Sequence, residues 1–305
     1  MRDNRFHILL LTGLACVLMH HSCSTCSRRQ AVQDVTIDLA ALVMDSTYVN
    51  LARKVVYALP TPIEMSLLIK NSGIPWRPAL LNDPLNASRY LSSQKMALNF
   101  GVYITNLTYA GLFEQAQSVL RYKLAIQQLI EGLGLQSAIN TGTMQALEDN
   151  INNKDMILQI ISDTYAACTT LLDENDRYYL ALTILIGGWI ESMYIAASTL
   201  DENLIQNEDR IKQLVIDQIL TFEMIWQVMS DFRDVPGIEE LMNSLNGLAQ
   251  LFDRIGIHQT TGVVSDATDG DISEISSFNV IEISSGDFER IKAQILILRH
   301  NFVNI

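Results

Sequence analysis

Along most of the chain, apolar residues recur every third or fourth position, the spacing of helices with one face turned to a core. Val35, Leu39 and Leu42, then Tyr48, Leu51 and Val55, set the first such row, and Pro60 ends it because proline has no amide to continue a helix. Thr61-Pro62-Ile63-Glu64 then reads as a helix start. It offers a hydroxyl at the N-cap, proline at the first helical position and a glutamate that closes a capping box. Gly73 stops this helix near Asn71, and Pro75, Pro78 and Pro84 make the following stretch irregular.

A helix from about 88 to 111 carries Met96, Phe100, Tyr103, Leu107 and Ala110 on one face. The next, about 113–133, sets Val119, Tyr122, Ile126, Leu129 and Leu133 against Gln117, Arg121, Gln128 and Glu131, and Gly132 and Gly134 end it. Further helical rows fit 137–150, 154–173, 176–199, 204–232 and 237–255. Residues 260–277 are small and acidic and read as an exposed loop, with β-rich flanks at 257–264 and 278–284 that fit a small hairpin. Gly286-Asp287 opens a last helix through Ile291, Ile295, Leu298 and Phe302. The pattern predicts an all-α protein, a multi-helix bundle or irregular α-solenoid of about eight to ten helices, with room for one hairpin near 257–284.

Tyr178 to Ala197 is the most apolar stretch of the body. Only 13 residues of it precede Glu191, short of the roughly 20 a membrane span needs, so a buried core helix is expected. Gly188, Ser192 and Ala196 recur every fourth residue and allow another helix to come close.

The N-terminus follows a different pattern. Arg2 and Arg5 precede an apolar run from about Phe6 to Met19, followed by polar residues and Ser22-Cys23. This is the layout of a secretory signal peptide. A cysteine after a small residue at the end of the apolar run resembles a bacterial lipobox, although His20 stands where that motif has leucine. Cys23 is the expected lipidation site, with Cys16 and Cys26 as alternatives. The reading is a signal peptide over 1–22, a lipidated tether over 23–30 and a single helical domain over 31–305.

The 305 residues carry 34 Asp and Glu against 21 Lys and Arg, a formal charge of -13. Such a chain repels phosphate backbones and anionic lipid surfaces. No nucleic-acid partner is expected, and membrane contact requires a covalent anchor. Cys168, the one cysteine of the body, lies on an apolar seam with Ile157, Ile161 and Leu171 and reads as a small core residue.

Histidine chemistry has little to work with. After the signal segment only His258 and His300 remain, and no phosphate loop, zinc motif or nucleophile elbow occurs, so neither a cofactor nor a metal is expected. Asp266, Asp269, Asp271 and Glu274 lack the alternation of a calcium loop and read as solvated. Two features carry candidate chemistry. Asn99, Tyr103, Asn106 and Tyr109, in a row that Lys95 starts, lie along one helix and would either line a ligand pocket or bond to neighbouring helices. Trp189 and Glu191 belong to Gly187-Gly188-Trp189-Ile190-Glu191, which places a carboxylate in the most apolar helix, where it would pair with Arg, Lys or Tyr, face water, or serve a site.

Leu59–Glu64, Ala97–Tyr103 with Asn106–Tyr109, and Gly187–Glu191 together resemble uncharacterised lipoproteins of Bacteroidetes, over roughly residues 30 to 305. The resemblance implies an all-helical exported protein and supplies no catalytic residue. With Ser27-Arg28-Arg29 after Cys23 rather than an acidic stretch, an outer-membrane lipoprotein facing the periplasm is expected, with cell-surface display as the alternative. Three functions stay open. The first is a lipid-anchored interaction or scaffold protein with an envelope-protein partner. The second is a small-molecule or glycan-binding module with a pocket near Asn99, Tyr103, Asn106, Tyr109, Trp189 and Glu191. The third is a carboxylate hydrolase acting through Glu191.

Overall fold

The computed structural model describes residues 59–304, apart from 141, 201–207, 236, 256–257, 265–273 and 281–282. The signal peptide, Cys23 with its alternatives Cys16 and Cys26, the tether and the helical row from Val35 to Val55 lie outside the described residues. So do Asp266, Asp269 and Asp271 of the acidic loop.

Nine α-helices are formed among the described residues: α1 (Pro62–Asn71), α2 (Ser93–Leu112), α3 (Ala116–Leu133), α4 (Thr143–Asp149), α5 (Lys154–Glu174), α6 (Tyr178–Thr199), α7 (Glu208–Asp231), α8 (Ile238–Ile255) and α9 (Ser285–Val303). The fold is all-α, as the periodicity predicts. Strands β1 (His258–Val264) and β2 (Glu274–Val280) pair antiparallel as a minor hairpin, with His258 opposite Val280 and Val264 opposite Glu274.

Local chemistry sets the boundaries. Thr61 Oγ1 accepts from the Glu64 amide at 3.2 Å and Glu64 Oε2 accepts from the Thr61 amide at 2.7 Å, which completes the capping box of α1. The second helix starts later than its apolar row suggests. Pro84–Arg89 forms a 3₁₀ turn instead, and Ser92 caps α2 by accepting from the Lys95 amide. Gly134 closes α3 in the left-handed region (φ 69°), letting the Leu135 amide reach back to the Ile130 carbonyl at 2.9 Å.

The core is organised around α2 and α6. Every residue from Ala97 to Leu112 of α2 is buried, and α6 is apolar on all sides, as expected of a helix surrounded by others. By length and composition α6 could cross a membrane, yet 94% of its most apolar window is buried inside the protein. Around this pair stand α1, α3 and α5 on α2 and α1, α5, α7 and α9 on α6, while α8 packs on α7 and α9.

The two central helices meet backbone to backbone. A Cβ on Gly101 would sit 1.9 Å from the Ile184 carbonyl oxygen, and one on Gly187 would sit 1.9 Å from that of Leu98. Gly188, on the small-residue row, receives the ring of Pro62. Cys168 is fully buried, and burial pushes its thiol up to about 12, so it is an inert core residue at neutral pH.

Candidate functional site

Because α2 is buried all round from Ala97 onward, polar side chains there cannot turn to water and need partners inside. Two residues of its first turns, Lys95 and Asn99, find them at the C-terminal end of α9, where helix geometry leaves the last carbonyls without intrahelical donors. Lys95 Nζ donates to the carbonyls of Asn301 and Asn304 at 3.0 and 3.2 Å. Asn99 Nδ2 donates to Phe302 O at 3.0 Å, and also to Lys95 O at 3.0 Å. Tyr90 Oη donates to Val303 O at 3.0 Å and accepts from Asn82 Nδ2 at 3.0 Å. One helix is thus C-capped by side chains more than 200 residues away, and the Lys95 ammonium sits at the negative end of its dipole.

Arg299, on α9 itself, ties the same helix to α6 and to Leu80. Its Nε donates to Glu191 Oε2 at 2.9 Å and its Nη2 to Oε1 at 3.3 Å and to Leu80 O at 3.2 Å. The guanidinium also lies 4.5 Å over the ring of Tyr194. The Glu191 side chain has no solvent exposure, and that of Arg299 is 12% exposed. Burial works against the Arg299 charge, but the charge and hydrogen bonds of Glu191 outweigh it and hold the guanidinium above its usual range. Of the partners open to Glu191 from the sequence, the structure selects an arginine 108 residues further along.

The remaining phenols fix the irregular stretch before α2. Tyr103 Oη donates to Asp83 O at 2.8 Å, Tyr122 Oη to Asn82 O at 3.0 Å, and Tyr109 Oη to Pro75 O. Burial pushes all three hydroxyls well up from the ordinary tyrosine value, with Tyr90 adding to the effect at Tyr103, so each stays a neutral donor. Trp189 faces elsewhere, and its Nε1 donates to Gln218 Oε1 of α7 at 3.2 Å.

The structure therefore brings Asn99 and Glu191 into one clamp on α9, sets Tyr103 and Tyr109 on the connection before α2, and leaves Trp189 in a contact with α7. A depression of about 250 Å³ is lined by Lys95, Leu98 and Phe302 with Ser92, Gln94 and Glu240, and none of Asn99, Tyr103, Asn106 or Tyr109 lines it. Sequence reasoning missed Asn82, Tyr90, Tyr122 and Arg299. The need for partners was readable in α2, but nothing local pointed to residues so distant in the chain.

Asn106 differs from the others. It is fully buried, and neither its Oδ1 nor its Nδ2 bonds to any described residue. A buried amide left unsatisfied costs about 1–3 kcal/mol. Asn106→Leu is therefore expected to raise the melting temperature, whereas Asn99→Leu, which removes donors from Phe302 O and Lys95 O, is expected to lower it. Thermal melts of the two variants beside the wild type check the opposite signs.

Comparison with protein-family models, with curated proteins and with solved structures gives no match. Among the described residues no group of three or more His, Cys, Asp or Glu side chains is placed to hold a metal ion.

Proposed function

We propose that the chain is a lipid-anchored protein of the cell envelope, of the kind its motifs resemble, whose helical body is an interaction module for another envelope protein. The anchor rests on the order of residues at the N-terminus: arginines, a short apolar run, then Ser22-Cys23. The interaction reading is carried by leucines in contact with water. Leu85 and Leu91 are 80% and 84% exposed and Leu124 is 62% exposed, with Leu120 one turn before it on α3 also exposed. Leu85 belongs to the 3₁₀ turn that packs on α3. Leu120 and Leu124 lie one turn apart on the same helix, and large aliphatic side chains held in water on packed elements support the reading of a contact surface.

One experiment addresses both parts. Cells expressing the chain are fed an alkyne palmitate, and the protein is cross-linked in intact envelopes and recovered. Label is expected in the wild type and absent from Cys23→Ala. A discrete cross-linked species is expected to disappear in Leu85→Asp/Leu124→Asp. Unlabelled wild-type protein contradicts the anchor, and a cross-link pattern indifferent to the two leucines contradicts the contact surface.

A further inference from the structure

The groove between α7 and α8 is built from residues that the clamp on α9 does not use. Glu223, Trp226 and Gln227 share one face of α7 at the i, i+3, i+4 spacing, and Ala249, Gln250 and Asp253 share one face of α8. Between them lies a solvent-open cavity of about 470 Å³, within the range of small-molecule sites.

Its floor is aromatic. Phe222 and Phe252 are buried and meet edge to face at 5.1 Å, and Trp226 stacks on Phe222 at 5.8 Å and 25° while remaining partly exposed in the groove. Trp189 extends the cluster behind Phe222 at 5.6 Å. On the α8 wall, position 249 contributes only a methyl group.

The rim is negative. Glu223 and Asp253 are both exposed, and neither carboxylate has a hydrogen bond or an ion pair among the described residues. Arg254, next to Asp253, turns its Nε back to the Gln250 carbonyl at 3.2 Å. Gln227 is held by Asp231 at 3.2 Å, while no bond holds the amide of Gln250. Burial first, and then the neighbouring Asp253 charge, raise the Glu223 carboxyl above its usual range.

Each component favours the same visitor. Uncompensated carboxylates attract a positive charge, the face of an indole attracts one as well, and the rings offer apolar surface to a hydrocarbon body. An anion meets repulsion, and a neutral ligand leaves the carboxylates opposed. We propose that this groove binds an organic cation, an ammonium or quaternary ammonium group seated between Glu223 and Asp253 with its alkyl portion over Trp226. This site is separate from the leucine surface and does not depend on the lipid anchor.

The test is titration of the full chain with cadaverine and with tetramethylammonium, followed by calorimetry and by tryptophan emission. Saturable binding is expected for at least one of them. It should weaken with salt, its emission change should vanish in Trp226→Phe, and affinity should fall about tenfold or more in Glu223→Gln/Asp253→Asn. The carboxylates are exposed, so the double variant should keep the wild-type melting curve and can carry the test even if the tryptophan variant folds poorly. No saturable binding of either cation, unchanged affinity in the carboxylate variant, or binding of neutral methyl glucoside equal to that of the cations would each overturn the proposal.

Discussion

Gly187→Ala is expected to destabilise the protein by about 3 kcal/mol or more, a large fraction of the stability of a typical domain. The added methyl would stand 1.9 Å from the Leu98 carbonyl oxygen, and the obstacle is backbone, which no rotamer change moves aside. The whole α2–α6 crossing would have to open by more than an ångström, and that crossing is the centre of the core. Alanine's better helix propensity returns only about 1 kcal/mol. Gly101→Ala should behave alike, since its methyl would meet the Ile184 carbonyl from the opposite helix. Gly286→Ala is the control: nothing comes within 3.9 Å of its added carbon except one hydroxyl, so it should be neutral or mildly stabilising. Urea unfolding followed by circular dichroism measures all three, and equal midpoints would show that close approach does not govern the crossing.

The second large effect concerns the buried ion pair. Glu191→Gln leaves the Arg299 guanidinium enclosed without its counter-charge, and Arg299→Met leaves a carboxylate with no solvent exposure and no cation. Each is expected to cost about 3–5 kcal/mol. Arg299→Lys should recover little, because an ammonium cannot bond both carboxylate oxygens and Leu80 O in the fork that arginine makes. Hydrogen exchange localises the loss. Amides of α9 should exchange early in the Glu191→Gln protein while those of α2 and α3 stay protected, because α9 is fastened by this pair and by the donors from Tyr90, Lys95 and Asn99.

What was legible in the sequence was what short range decides. The capping box at Thr61 needs only four adjacent residues, and it is present bond for bond. Amphipathic rows placed α3, α5, α7 and α8 within a few residues, because burial of one face imposes a period that any single helix reveals, and α6 was placed by its continuous apolar run. Central helices are harder. In α2 every residue from Ala97 onward is buried, so its pattern could not say which side met which neighbour, and its start was placed several residues early because the 3₁₀ turn at Pro84–Arg89 also carries helix-compatible residues. The row Gly188, Ser192, Ala196 announced a close approach, but the two tightest contacts, both with backbone, belong to Gly101 and Gly187.

The polar residues divide the same way. That Asn99 and Glu191 required partners followed from their surroundings. That the partners are carbonyls and a guanidinium on α9 depends on a tertiary arrangement more than 100 residues wide, for which no local signal exists. The groove at Trp226 was not legible at all. Glu223, Gln227, Gln250 and Asp253 look like any solvated helix face until two such faces are set opposite one another over aromatic rings.

The clamp on α9 is tested most directly by a double-mutant cycle with Glu191→Met, Arg299→Met and the combined variant, each unfolded in urea. Both single variants should lose several kcal/mol, and the pair together should regain most of it, since two apolar side chains leave no buried charge behind. Losses that simply add, with no coupling between the two positions, would contradict the clamp.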